Sequence, residues 1–299
     1  MSEQIFPEWV ALESRTERLR VWAMRDNQIL ARRETEVAPE RPIGFTLEHI
    51  LKSLLDPWRI DPETPVIGCG IMKPGQANAM LTYRRVPCTP LGPELIDVPL
   101  RERALVWIPG LRQAEPCDVM YGEETRIAGF LAANTDWDGV LCLPGAHTRW
   151  VQVSAGEVVS FQTYMTGEIY ALLTERSVLM QSIVGADWSD AAFDEALQDL
   201  LSNPEKLAAR LFSIHAADML ENAPKGTARS KLSAALIGAE LAAARPYWLG
   251  TQIAIIGTEE QAQIYQRALR AQGAQATLAQ KELMTLAGLS TVYNGLKGR

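Results

Sequence analysis

An α/β fold in two domains is what this sequence predicts, on three observations. The chain has 299 residues, and a domain usually takes about 100–200. Each half reads as three antiparallel strands, then a helix, then further strand–helix units. A polar break at residues 134–138 separates the halves, which sets the domains at 1–134 and 135–299.

The elements follow from local pattern. Residues 9–12 and 19–24 are apolar strands joined by the charged turn 13–18, and 29–35 continues as a third strand. Residues 44–55 carry apolar side chains at helical spacing. Residues 65–70 form a short buried strand, and 72–79, rich in small and turn residues, form a loop. Three prolines and a glycine make 86–94 irregular. Residues 105–108 are another buried strand, stopped by Pro109-Gly110. A helix spans 122–133, with Glu123 and Glu124 in its first turn, where acids favour the helix dipole.

The second half opens on a hairpin. Val140 to Leu143 is a buried strand, Pro144-Gly145 turns, and Trp150 to Val153 returns. A third strand over 158–164 leads into a helix at 166–174. Helices follow at 189–202, capped by Ser189, at 204–221, with Pro204 tolerated in the first turn, and at 228–244. A strand at 252–256 ends in Gly257, Thr258 caps a helix over 259–271, and a strand at 276–278 precedes a last helix over 281–295.

Composition narrows the function. Hydrophobic content of 47% with 22% charged residues is that of a soluble globular protein. A net charge of −7 argues against general nucleic-acid binding. The four cysteines show no metal-binding spacing, and neither do His49, His147 and His215. No signal peptide is evident, and no apolar run approaches the roughly 18 residues of a membrane span. A cytoplasmic protein with no membrane partner is the expectation.

Four places could carry chemistry. The hairpin tip, Gly145 to Arg149, offers glycine N–H groups, the His147 imidazole, the Thr148 hydroxyl and the Arg149 guanidinium. That set suits a phosphate, and equally an ordinary hairpin at a sheet edge. Gly257-Thr258 either faces a ligand across a helix N-terminus or is a plain strand-to-helix turn. Glu123 and Glu124 are either a general base or acids that stabilise a helix start. Arg112 either grips a carboxylate through its fork or makes a surface ion pair.

Five stretches decide between these readings: 108–112 (IPGLR), 119–129 (VMYGEETRIAG), 143–151 (LPGAHTRWV), 164–172 (YMTGEIYAL) and 232–240 (LSAALIGAE). In this order, over nearly the whole chain, they resemble the 2-dehydro-3-deoxygalactonokinase family of the actin-like ATPase and sugar-kinase superfamily. The resemblance implies a two-domain actin-like (ribonuclease H-like) fold with an interdomain cleft. It implies Mg-ATP mostly on the C-terminal domain and a sugar acid mostly on the N-terminal one. The reaction implied moves the γ-phosphoryl group of ATP to a hydroxyl of 2-dehydro-3-deoxy-galactonate, with a carboxylate accepting the proton. Glu123 or Glu124 would be the base. Gly145, His147, Thr148, Arg149, Gly257, Thr258 and Thr16 would meet the nucleotide. Arg112, Lys73 and Gln76 would meet the sugar acid, and Glu13 would hold Mg²⁺ through water. A homodimer is the candidate assembly.

The chain departs from that family where the first phosphate loop belongs. An Asp-Trp-Gly-Ser/Thr-Thr-Asn turn is expected before Leu19-Arg20-Val21-Trp22, but Glu13 to Arg18 reads ESRTER. Arg15 replaces the glycine, and Glu17 a hydroxyl. The loop after Gly70 lacks the family's arginine and tryptophan, leaving Lys73 as a point charge. Tyr121 and His215 stand where arginines are expected. Three functions follow: a kinase with an altered first loop, a catalytically impaired relative that binds nucleotide or sugar acid, or a kinase for another acid or phosphoryl donor. An inward-turned Arg15 together with a cleft that has no room for a triphosphate would rule out the first.

Overall fold

The computed structural model describes residues 5–15, 18–36, 47–58, 60–71, 83–100, 103–183, 185, 187–221 and 224–297. Thr16, Glu17, Lys73 and Gln76 lie outside the described residues, as does the whole of the expected loop at 72–79.

The chain divides into two compact units. Unit 1 holds residues 1–137, 154–159 and 281–299, and unit 2 holds 138–153 and 160–280. In chain order the elements are β1 (Trp9–Ser14), β2 (Arg18–Arg25), β3 (Gln28–Glu36), α1 (Leu47–Leu55), β4 (Val66–Gly70), β5 (Arg84–Arg85), β6 (Ile96–Pro99), β7 (Ala104–Trp107), β8 (Leu111–Gln113), β9 (Asp118–Met120) and α2 (Glu123–Ala133). There follow β10 (Gly139–Leu143), β11 (Thr148–Ser154), β12 (Glu157–Tyr164), α3 (Thr166–Arg176), α4 (Asp190–Ser202), α5 (Leu207–Glu221), α6 (Thr227–Ala243), α7 (Arg245–Trp248), β13 (Ile253–Gly257), α8 (Glu259–Arg270), β14 (Ala276–Gln280) and α9 (Lys281–Lys297).

Both main sheets are built on one plan. The first has the order β3-β2-β1-β4-β7-β6, with β1, β2 and β3 antiparallel and β4 and β7 parallel to β1. The second has the order β12-β11-β10-β13-β14, again with an antiparallel β10–β11 hairpin and parallel β13 and β14. This doubled 3-2-1-4-5 order is the ribonuclease H-like topology of the actin-like fold. The central strands β1, β4, β10 and β13 are buried along their whole length, as strands covered on both faces must be. The edge strand β3 carries Arg32, Arg33, Glu34 and Glu36, charges that discourage further pairing.

Several boundaries move from the sequence expectation. Glu13 and Ser14 are strand residues paired with Arg20 and Leu19 rather than part of the expected turn, and the Arg15 N–H donates to the Arg18 carbonyl at 2.8 Å. Thr148 and Arg149 likewise belong to β11, since Leu143 pairs with Arg149; the tip is 144–147. The short strands β5, β6, β8 and β9 and the helix α7 leave no periodic signal over two to four residues. Pro99 is tolerated because β6 pairs only with β7 at the sheet edge.

The last helix belongs to unit 1, although a single cut after residue 134 places it in the second domain. It packs on α2 through two glycines. A Cβ on Gly129 would lie 2.0 Å from the Met284 carbonyl oxygen, and one on Gly288 would lie 1.9 Å from that of Thr125. Leu286, Leu289, Val292 and Tyr293 then complete a core with Trp9, Trp22 and Ile67. No helix among the described residues is long and apolar enough to cross a membrane.

Candidate active site

Unit 1 gathers charge at the end of β1. Glu13 is buried, and its Oε1 accepts from Arg15 Nε at 3.0 Å, Arg15 Nη2 at 2.7 Å and Arg126 Nη2 at 2.9 Å. Arg15 Nη1 reaches across to Glu123 Oε1 at 2.8 Å. Arg15 is therefore turned inward, bridging a carboxylate on β1 and one on α2. Burial alone would raise the Glu13 pKa, but the charges of Arg15, Lys281 and Arg20 outweigh it and hold the carboxyl below its ordinary value. Burial, with Arg15 nearby, lowers the Lys281 pKa.

Glu123 and Glu124 lie at the α2 N-terminus, with Gly122 before them in a left-handed conformation, φ 89°. Glu124 is fully buried and folds back, so that both its oxygens accept from the Gly122 N–H, at 2.8 and 2.7 Å. Thr125 adds its hydroxyl at 3.0 Å. Burial, then the neighbouring Glu123 charge, pushes the Glu124 carboxyl up to about 7. Glu123 accepts the Tyr121 N–H at 3.2 Å as well as the Arg15 contact. The two acids thus serve the helix start that their sequence position suggests. Arg112 is exposed on β8.

Unit 2 carries a pocket of about 290 Å³ beside the hairpin tip. Pro144, Gly145 and Ala146 form one wall, and Thr166, Gly167 and Tyr170 of α3 another. Trp188, Arg229, Ser233, Leu236 and Ile237 continue it, and Glu260, Gln261, Ile264 and Tyr265 of α8 close it. The tip and α3 are clamped together: Glu168 N–H donates to the Ala146 carbonyl at 2.8 Å. Gly167 is required there, because its Cβ would lie 2.2 Å from the Gly145 carbonyl oxygen.

Of the expected phosphate residues that are described, Gly145 alone lines this pocket. The Thr148 hydroxyl points into the core and meets Tyr265 at 2.9 Å. That follows from its place in β11 rather than in the tip. Arg149 is also buried and donates to the His147 carbonyl at 3.3 Å. His147 Nε2 pairs with Glu168 at 2.5 Å. Gly257 ends β13, where a Cβ would make only ordinary contacts with Ala262 and Pro144. Thr258 caps α8 through Gln261 N–H at 3.4 Å.

Sequence reasoning missed the network under the pocket. Glu240 of α6 is buried and accepts from Trp150 Nε1 at 2.8 Å, from Tyr265 at 2.8 Å and from the Thr166 hydroxyl. Burial raises its carboxyl to about 7 despite these donors. The sequence gives no role to Trp188 or Arg229; a tryptophan placed just before the Ser189 cap is the one available signal.

The comparisons agree with this architecture. Residues 15–292 match the 2-keto-3-deoxy-galactonokinase family. A relative from Escherichia coli (strain K12), "2-dehydro-3-deoxygalactonokinase", is 30% identical over 296 residues, 96% of this chain and 98% of its own. "Probable 2-dehydro-3-deoxygalactonokinase DgoK1" from Rhizobium meliloti (strain 1021) is 28% identical over 297 residues, with coverage of 96% and 97%. A Sinorhizobium meliloti crystal structure assigned to the 2-dehydro-3-deoxygalactonokinases superposes with a TM-score of 0.86 at 27% identity, covering 96% of this chain and 99% of its own. With two ribonuclease H-like sheets and a match spanning nearly its whole length, this chain belongs to the 2-keto-3-deoxy-galactonokinase family of carbohydrate kinases.

Proposed function

We propose that this protein phosphorylates a 2-keto-3-deoxy sugar acid of the 2-dehydro-3-deoxy-galactonate type, with ATP as donor. Unit 2 takes the nucleotide and unit 1 the sugar acid. The observation that carries the reading is the unit 2 pocket. Its aromatic and aliphatic wall (Tyr170, Trp188, Leu236, Ile237, Ile264) suits a base, and Arg229 offers a cation. The backbone at Gly145 suits phosphate oxygens. ATP supplies the phosphoryl group; the chain's part is to bind, orient and take the hydroxyl proton.

Glu123 or Glu124 takes that proton. Both are buried with each oxygen engaged, those of Glu124 by the Gly122 N–H and those of Glu123 by Arg15 and the Tyr121 N–H. Arg112, exposed on β8, together with Lys73 and Gln76, meets the substrate carboxylate. In unit 2, Thr148 and Arg149 act beneath the phosphate loop rather than on the phosphate. His147, Thr258 and Gly257 shape the surround. Mg²⁺ is expected for this chemistry, but the Glu13 oxygen that would hold it already accepts three guanidinium N–H groups. No step is assigned to a metal on Glu13.

A second reading is favoured by the inward Arg15, which fills the place of the family's loop glycine: a relative that binds nucleotide or sugar acid and turns over little. Coupled ADP release with Mg-ATP and a panel of 2-keto-3-deoxy sugar acids separates the two. Turnover on one acid supports the kinase. Folded protein that binds ATP and turns over none supports the second reading.

A further inference from the structure

Arg15 stands where a glycine would leave open space, and its side chain is held at both ends. Nε and Nη2 grip Glu13, Nη1 grips Glu123, and the Arg15 backbone is fixed by its N–H on Arg18. Arg126, itself buried, adds a second guanidinium, 2.9 Å from Glu13 and 3.6 Å from Glu123. Two carboxylates are thereby matched by two guanidinium groups inside one cluster. Arg20 at 3.9 Å from Glu13 adds further positive charge.

We infer that Arg15 is the resident cation of unit 1: it spans the Glu13–Glu123 carboxylate pair as a divalent metal would, and so excludes one. A Mg²⁺ ion needs oxygen lone pairs in near-octahedral array. Here the inner Glu13 oxygen spends its lone pairs on N–H groups. A doubly charged ion would also sit against Arg15 and Arg126 in a poorly solvated site, where like charges repel strongly. This cluster therefore holds no divalent metal by itself; one brought by a polyphosphate would rely on the polyphosphate's own oxygens. Replacing Arg15 with an uncharged residue takes two of the three N–H groups off the inner Glu13 oxygen and frees Glu123 Oε1 from its nearest cation, which opens the pair to a metal even beside Arg126. This concerns unit 1 by itself and does not rest on the sugar-acid reading.

The test is Mn²⁺ uptake by the full chain without nucleotide, read from loss of the free-ion EPR signal up to about 1 mM metal. Wild type is expected to take up none. Arg15→Ala is expected to bind one Mn²⁺ per chain, at least about tenfold more tightly than wild type. Adding Glu13→Gln to Arg15→Ala is expected to abolish that binding. Wild-type uptake that disappears in Glu13→Gln would overturn the inference, because the metal would then share Glu13 with Arg15. An Arg15→Ala protein that binds no Mn²⁺ would overturn it equally. Should Arg15→Ala not fold, Arg15→Gln keeps an amide donor towards Glu13 without the charge and is read in the same way.

Discussion

Glu240 sets a pH dependence that one substitution should remove. Its carboxyl is buried under Trp150, Thr166 and Tyr265, with a pKa of about 7 against an ordinary 4.5. A raised pKa favours the fold while the group is protonated in both states. That stability is fully present below about 4.5 and is lost as pH rises through about 7. At about 1.4 kcal/mol per unit, the native state should lose roughly 2–3 kcal/mol from this residue between about pH 5 and pH 8. Glu240→Gln removes the titration and keeps an acceptor for Trp150 Nε1–H, while the Tyr265 and Thr166 hydroxyls can rotate to accept from the new amide. Urea denaturation, followed by tryptophan fluorescence at several pH values, reads the difference. Glu240→Gln should gain on wild type by about 2–3 kcal/mol over that pH range, with Glu124 titrating in both proteins. Parallel pH profiles for the two proteins would show that Glu240 keeps an ordinary carboxylate pKa, and the buried-network account would fall. Glu240→Ala, which strands the buried Trp150 donor, should cost about 1–3 kcal/mol even at pH 5.

Other consequences are open to the same kind of measurement. Gly288→Ala puts a methyl group 1.9 Å from the Thr125 carbonyl oxygen, so α2 and α9 must part. A loss of about 1–3 kcal/mol in urea is expected, and an unchanged midpoint would show that the helices have slack. Glu123→Gln should lower kcat by about 10²–10⁴ with the KM for ATP kept, and full turnover in both Glu123→Gln and Glu124→Gln would rule out either as base. Trp188→Ala should weaken ATP binding by about 1–2 kcal/mol, measured by calorimetry; unchanged affinity would place the base elsewhere.

Much of the fold was legible because hydrophobic period and turn residues are local signals. The three-strand opening of each half, the Ser189 and Thr258 caps and the helices after them lie where the sequence puts them, to within a few residues. The five motifs also carried the family. Legibility failed where one residue shifts a whole role. Reading Thr148 as tip rather than strand turned a buried hydroxyl into an expected phosphate donor, because in a strand neighbouring side chains point to opposite faces. Glu240 looked like one more helix residue in an Ala-rich stretch; only packing brings it under Trp150 and Tyr265.

The charge at the end of β1 divides the same way. The sequence by itself determined that Arg15 replaces a glycine beside Glu13, and that two acids open α2. Only the tertiary structure decided that the Arg15 side chain turns inward, that Arg126 joins it on Glu13, and that α9 returns to cover α2. The reason is range. Glu13 and Glu123 stand 110 positions apart in the chain, and their pairing through one guanidinium depends on burial and on the fold that brings the start of α2 beside the end of β1, neither of which any local pattern encodes.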